Sequence, residues 1–245
     1  MHFGQHDAAT ERAKEADLIC CLQAHEADVD HLYLMGDVFN EYIEYRHLVP
    51  KGCVRLMGLL AAWTDAGIPV TYLAGNHDPW HQDYFTNELG VRLVFDALVE
   101  PTEGPVVYLE HGDAVASHAS VYQRLRPWLR HPLPVWLYRT LLPADAGLRL
   151  ARWMSHTLHE EDPDPHVVHA LERHAHSVLQ ETSATLVVMG HSHVPVLHTW
   201  PEGCYVNTGN WYESRTFARL DSNGVHLLRW NGDRAAAIEA ASLPA

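Results

Sequence analysis

Two periods of apolar and polar residues run along this chain. From Asp7 to His25, Ala9, Ala13, Ala16, Ile19, Cys20 and Leu22 fall close to helical spacing and predict a helix. His31 to Met35 is a short apolar run that reads as a buried strand, ending in Gly36-Asp37-Val38-Phe39-Asn40. Pro50 opens a second helix that runs to about Ala66 and stops at Gly67. Ile68 to Ala74 is the next strand, followed by Gly75-Asn76-His77-Asp78. Trp80 to Leu89 reads as helix, ended by Gly90. Val91 to Leu109 reads as short strands with a turn at 102–105, finishing in Glu110-His111-Gly112-Asp113. Strand, helix, strand, helix predicts an α/β sandwich with a mostly parallel sheet.

The texture changes after Ser120. Up to about Met154 the chain interleaves Trp128, Trp136, Tyr138 and Trp153 with leucines and with Arg124, Arg126, Arg130, Arg139, Arg149 and Arg152. Prolines and glycines break the run, which predicts two or three short amphipathic helices forming a lid, inserted at about 119–160 in a single domain spanning 1–245. An acidic loop, Glu160 to Pro165, and a helix from His166 to Glu181 return the chain to the core. Thr185 to Met189 is another buried strand, ending in Gly190-His191-Ser192-His193. Val196–Trp200, Tyr205–Asn207, Thr216–Leu220 and Val225–Trp230 then follow as antiparallel strands, and the last fifteen residues read as a weak Ala-rich tail.

Composition narrows the function. A length of 245 residues with 47% hydrophobic and 20% charged positions is that of a globular protein with a full core. A net charge of −14 argues against nucleic acid as a partner, because phosphate backbones need clustered Lys and Arg. The four cysteines, Cys20, Cys21, Cys53 and Cys204, form no CxxC pair and read as reduced thiols, consistent with the cytoplasm. No apolar stretch is long enough to span a membrane, and the polar N-terminus does not read as a signal peptide. With twenty histidines in the chain, a lone His carries little weight.

The chemistry lies in four motifs, each placed just past an apolar strand: GDVFN at 36–40, GNHD at 75–78, EHGD at 110–113 and GHSH at 190–193. Strand carboxyl ends are where ligands sit in open α/β sheets. Taken singly, Asp37 could cap a turn, Asn76 could be a turn residue, His111 a core histidine, and His191 and His193 surface groups. In register they supply one set of metal-competent side chains.

This run of motifs resembles the calcineurin-like metallophosphoesterases over nearly the whole chain outside the lid. The resemblance implies an αββα sandwich with two divalent metal ions at the strand ends, Mn first, with Fe or Zn as alternatives on nitrogen and oxygen ligands. Two metals roughly 3.5–4 Å apart clamp both the attacking and the leaving oxygens of a phosphoryl group. By the same resemblance Asp37 bridges the metals, Asn76, His111 and His191 complete one site, and His193 belongs to the other. His77 would protonate or stabilise the leaving oxygen, with Asp78 holding its ring.

The family also carries an Asp-x-His motif at the end of its first strand. Here His2-Phe3-Gly4 resembles the tail of that motif, so the Asp and the first strand would precede Met1. A start assigned too late is the expectation, with a degenerate, inactive metal- or lipid-binding remnant as the alternative. Read this way, the first site has His2, Asp37 and His193 and binds its metal weakly. Equal activity of the chain with and without an in-frame N-terminal extension would sink that expectation.

The lid, together with FNEYIEYRHLVPKG at 39–52 and Asn207-Thr208-Gly209-Asn210-Trp211, resembles the UDP-2,3-diacylglucosamine diphosphatases of lipid A synthesis. That implies hydrolysis of a nucleotide-sugar lipid to UMP and a lipid monophosphate. Trp128 and Trp136 would line an acyl cleft, while Arg124 and Arg139 bind phosphate. Basic amphipathic helices can also rest on the inner face of a membrane. The aromatic stripe could instead pack the cap on the core. His77, where that branch carries Arg, and Asn40, where the wider family often has Asp, keep a generic phosphodiesterase or nucleotide pyrophosphatase open.

Overall fold

The computed structural model describes residues 1–102, 104–115, 126–158 and 165–243, with side chains to 154 in the third stretch. Within them the chain forms α1 (Ala8–His25), β1 (Leu32–Leu34), α2 (Val54–Asp65), β2 (Val70–Leu73), a π-helical turn (Tyr84–Glu88), β3 (Arg92–Val94), β4 (Leu98–Pro101) and β5 (Val106–Glu110). Then come α3 (Pro132–Leu141), α4 (Ala144–Leu158), α5 (Pro165–Glu181), β6 (Leu186–Met189), β7 (Pro195–Trp200), β8 (Gly203–Thr208), β9 (Thr216–Asp221), β10 (Gly224–Trp230) and β11 (Ala235–Ala241).

Three sheets result. β1, β2 and β3 pair in parallel. A five-stranded sheet has the order β4-β5-β6-β8-β7, with β5, β6 and β8 parallel and both edge strands antiparallel. β9, β10 and β11 form an antiparallel sheet. The layering follows from which faces are apolar. Leu18 and Cys21 of α1 and Leu56 and Leu60 of α2 bury against Leu34, Val70 and Tyr72. Leu73, Val107, Leu109, Leu186, Val188 and Val206 pack between the sheets. Leu171, Ala175, Val178 and Leu179 of α5 cover Val187, Met189 and Tyr205. β6 is thus buried on both faces by alternate residues, which is why it reads as an unbroken apolar run. The expected αββα sandwich is what forms.

Three elements differ from the sequence reading. The second helix starts at Val54 rather than Pro50. Gly52 and Cys53 both take positive φ, 121° and 49°, which helix cannot accept. Buried Glu15 of α1 supplies the cap, accepting from the amides of Arg55 (2.8 Å) and Leu56 (3.1 Å). The helix expected from Trp80 shrinks to Tyr84–Glu88 because residues 80–83 are committed elsewhere. Trp80 bridges Ile43, and buried Glu44 accepts from the amides of Gln82, Asp83 and Tyr84, fixing the start of the turn. The Ala-rich tail is strand β11, held by backbone pairing to β10 that does not depend on its side chains.

In the helical segment, residues 126–129, α3 and α4 are described, whereas 160–164 of the expected acidic loop lie outside the described residues and Pro165 already opens α5. The segment is tied to the strand ends by polar contacts. Trp80 Nε1 donates to Leu129 O (2.8 Å), and the Trp80 ring stands edge-on to Tyr138. Arg130 donates to Phe95 O (2.8 Å), Gly75 O (3.1 Å) and Asp113 (3.1 Å).

Candidate metal centre

Parallel pairing puts the ends of β1, β2, β5 and β6 on one edge of the sandwich. Gly36 and Gly75 let those ends close together. A Cβ at Gly36 would strike the His111 ring, and one at Gly75 would strike the Asp37 carboxylate. The residues just past the strands are backbone-strained. His2, Asp37, His191 and His193 hold φ between 49° and 65°, a region that non-glycine residues enter at a cost. Strain collected at one point marks a place where side-chain direction outweighs stability.

Asp37 lies at the centre. Its Oδ2 is 3.2 Å from His111 Nε2 and 3.8 Å from His2 Nε2, and its Oδ1 accepts from the His77 amide at 2.9 Å. His2 Nε2 and His193 Nε2 face each other at 3.0 Å. Asn76 Oδ1 lies 3.1 Å from His111 Nε2 and 3.0 Å from His191 Nδ1. Two donor groups result, His2-Asp37-His193 and Asp37-His111-His191, each with ligand atoms within 4.8 Å of one another. They share Asp37. The nitrogen and carboxylate donors fit a divalent transition-metal ion. All six residues expected to ligate are therefore brought together.

The imidazoles are oriented from behind. His111 Nδ1 donates to Met35 O at 2.7 Å, so Nε2 is the nitrogen turned toward the cluster. Asn207 Nδ2 donates to Gly190 O (2.6 Å), and Asn210 Nδ2 donates to His193 O (3.2 Å). The Asn207–Asn210 stretch thus buckles both ends of the GHSH loop. That function was not readable from the motif.

The electrostatics favour ligation. Burial alone would raise the Asp37 carboxyl, but facing His111 and His77 outweigh it and hold it well below the usual carboxylate range. Burial works against charge on His111, yet Asp37 beside it raises it to about 9. Burial lowers His191 to about 4, His193 to about 3, and His2 well below its ordinary value. Neutral His2, His191 and His193 are what a cation can use, whereas the proton that Asp37 holds on His111 has to leave before that ring can ligate.

Asp78 does not hold the His77 ring. Its buried carboxylate accepts from the amides of Val38 (2.8 Å) and Gly75 (2.8 Å) and from the Tyr72 hydroxyl. It stitches the first two strand ends together, while burial and nearby Asp37 push its pKa up. The ring is oriented instead by Asn40, whose carbonyl accepts from His77 Nδ1 at 2.8 Å. The His77 ring stands 4.5 Å from that of His2.

Arg139 is also placed differently from expectation. Its guanidinium donates to Trp80 O (2.6 Å) and His81 O (3.3 Å), anchoring α3 to the core. A group committed to two carbonyls is a strut before it is a phosphate ligand. Trp128 and Trp136 are 61% and 58% exposed, so neither packs the helical segment onto the core. Arg124 lies outside the described residues.

A family model for calcineurin-like phosphoesterases matches residues 1–195. A UDP-2,3-diacylglucosamine hydrolase of Porphyromonas gingivalis is 33% identical over 143 residues, 58% of this chain and 55% of that protein, so the match spans just over half of that relative. Proteins of the same name from Xanthomonas oryzae pv. oryzae and Edwardsiella ictaluri are 29% and 26% identical. Those matches cover 81% and 93% of this chain, and 85% and 88% of theirs. With the strand-end donor cluster and the family match over most of its length, this chain belongs to the calcineurin-like phosphoesterases and is a metal-dependent phosphohydrolase.

Proposed function

We propose that the protein hydrolyses UDP-2,3-diacylglucosamine to UMP and 2,3-diacylglucosamine 1-phosphate, using two divalent cations, with Mn favoured. The observation that carries the two-cation reading is Asp37 Oδ2 standing between His2 Nε2 and His111 Nε2. Asp37 would bridge, His2 and His193 would hold one cation, and Asn76, His111 and His191 the other. When bound, the cations neutralise phosphate charge and supply a nucleophile at neutral pH.

The chain's own groups do the rest. His77, its Nδ1 held by the Asn40 carbonyl, would turn Nε2 toward the leaving oxygen and deliver a proton there. Asp78 keeps the amides around Asp37 and Gly75 fixed, so it is a positioning residue. The exposed apolar side chains Trp128, Leu133, Trp136, Leu137, Leu141 and Trp153 would take the acyl chains, which makes the helical segment a lid. No described helix is long and apolar enough to cross a membrane. We place the protein in the cytoplasm, with the lid touching the inner membrane face from which its substrate comes.

The test, with Mn, is UMP release from UDP-2,3-diacylglucosamine and from UDP-N-acetylglucosamine, beside chromophore release from a chromogenic phosphodiester. Preference for the acylated substrate is expected. Equal rates on all three would favour a generic phosphodiesterase, the reading to which His77 in place of Arg points. No turnover of any would leave a metal- or lipid-binding protein.

A further inference from the structure

Tyr212 is a residue to which neither the sequence motifs nor the proposed chemistry gives a role. It follows β8 in a turn that is closed from several sides. Asn210 Oδ1 accepts from the amides of Glu213 (2.8 Å) and Ser214 (3.1 Å), and Ser214 Oγ donates back to Asn210 O (2.7 Å). Arg215 donates to the carbonyls of Trp211 and Tyr212. Trp211 is buried and its Nε1 donates to Lys14 O at 3.2 Å. The backbone of Tyr212 is therefore fixed on both sides, and the half-buried ring projects from a rigid base.

That ring stands edge-on to His193 (centroids 5.6 Å apart, 87°) and to His2 (6.0 Å, 89°). Its hydroxyl lies 3.2 Å from His193 Nδ1. The opposite nitrogen, His193 Nε2, is the one that faces His2. An imidazole that offers Nε2 as a lone pair must carry its proton on Nδ1, and that proton needs an acceptor.

We infer that Tyr212 is the positioning residue for His193: its hydroxyl oxygen accepts the Nδ1 proton and so fixes the tautomer and ring direction that present Nε2 to a cation. The inference rests on the reading of His193 as a metal ligand. Tyr212 acts on one half of the cluster only, since His191 and His111 are oriented through other contacts.

The experiment is Co(II) titration of metal-free protein, following visible absorption and competition with a chelating dye, for wild type, Tyr212→Phe, His193→Ala and the double variant. Tyr212→Phe removes one oxygen atom and keeps the ring, and the melting midpoint of the metal-free variant checks the fold. The expected result is about 10- to 100-fold weaker binding at one class of site with an altered absorption band. Turnover should recover toward wild type in excess metal. The loss should vanish in the His193→Ala background, as a coupled pair requires. Unchanged affinity and spectrum in Tyr212→Phe, with normal binding by wild type, would overturn this inference alone. So would a loss that persists in full without His193. Absence of Co(II) binding by wild type would overturn the reading of the cluster, and this inference with it.

Discussion

Asp37 shows how one side chain can carry a site. It is buried, strained at φ 49°, and shared by both donor groups. Asp37→Ala should therefore lose binding at both, read by titration calorimetry with Mn; retention of two cations would refute the shared role. His77→Ala removes no ligand, so cations should stay bound while turnover falls by roughly 10²–10⁴-fold, the usual range for losing a general acid. His81 poses a separate test at the same scale. It is buried against Tyr42, Tyr72 and Phe85, and neither ring nitrogen has a hydrogen-bond partner among the described residues. Burial, with Arg139 nearby, lowers it from 6.5 to about 3. Between those values the unfolded chain binds a proton that the folded chain refuses, so stability drops as pH falls through that window. His81→Phe should flatten the slope by up to about 1.4 kcal/mol per pH unit. Denaturant melts of metal-free protein between pH 6.5 and 4 measure it, and an unchanged slope would show that His81 finds a proton-accepting partner.

Among the described residues of the helical segment, Arg130 makes three polar contacts to the strand ends. It joins the turn after β2, the Asp113 carboxylate after β5 and the β3–β4 connection. Arg130→Met would leave two carbonyls and one shared carboxylate acceptor short of a donor. A cost of about 2–3 kcal/mol is expected, since hydrogen bonds to charged groups are worth about 1.5–3 kcal/mol each. Hydrogen exchange should rise first in α3, whereas equal acceleration throughout the sandwich would contradict a local strut. The α2 cap can be tested in the same way. Glu15→Ala should cost about 1 kcal/mol, the usual worth of a helix cap, by removing an acceptor that comes from another helix.

At the scale of the whole molecule, a net charge of −14 opposes approach to anionic surfaces, so the proposed membrane contact would fall to the arginine-bearing helical segment alone, whose exposed tryptophans and leucines favour an apolar ligand. Trp128→Ala with Trp136→Ala should raise KM for the acylated substrate at least tenfold, since burying one large apolar side chain is worth about 1.5–3 kcal/mol. The rate on a soluble phosphodiester should stay unchanged. A parallel loss on both substrates would mean that the tryptophans support the core rather than the acyl chains.

Much of this was legible in the chain itself. Strand ends at Gly36, Gly75, Glu110 and Gly190 follow from apolar runs meeting glycine or a polar break, and five of the six donor residues, all but His2, sit within three positions of them. Periodicity and breakers act locally, so a linear reading recovers them. What tertiary structure decided are the bonds between residues far apart in sequence. Asp78 serves the amides of Val38 and Gly75 instead of the neighbouring imidazole. Arg139 anchors a helix, Glu15 and Glu44 set where other elements begin, and Asn207 and Asn210 buckle the histidine loop. Each is a buried polar group that had to find a partner on folding, and which partner lies within reach depends on the packed layers.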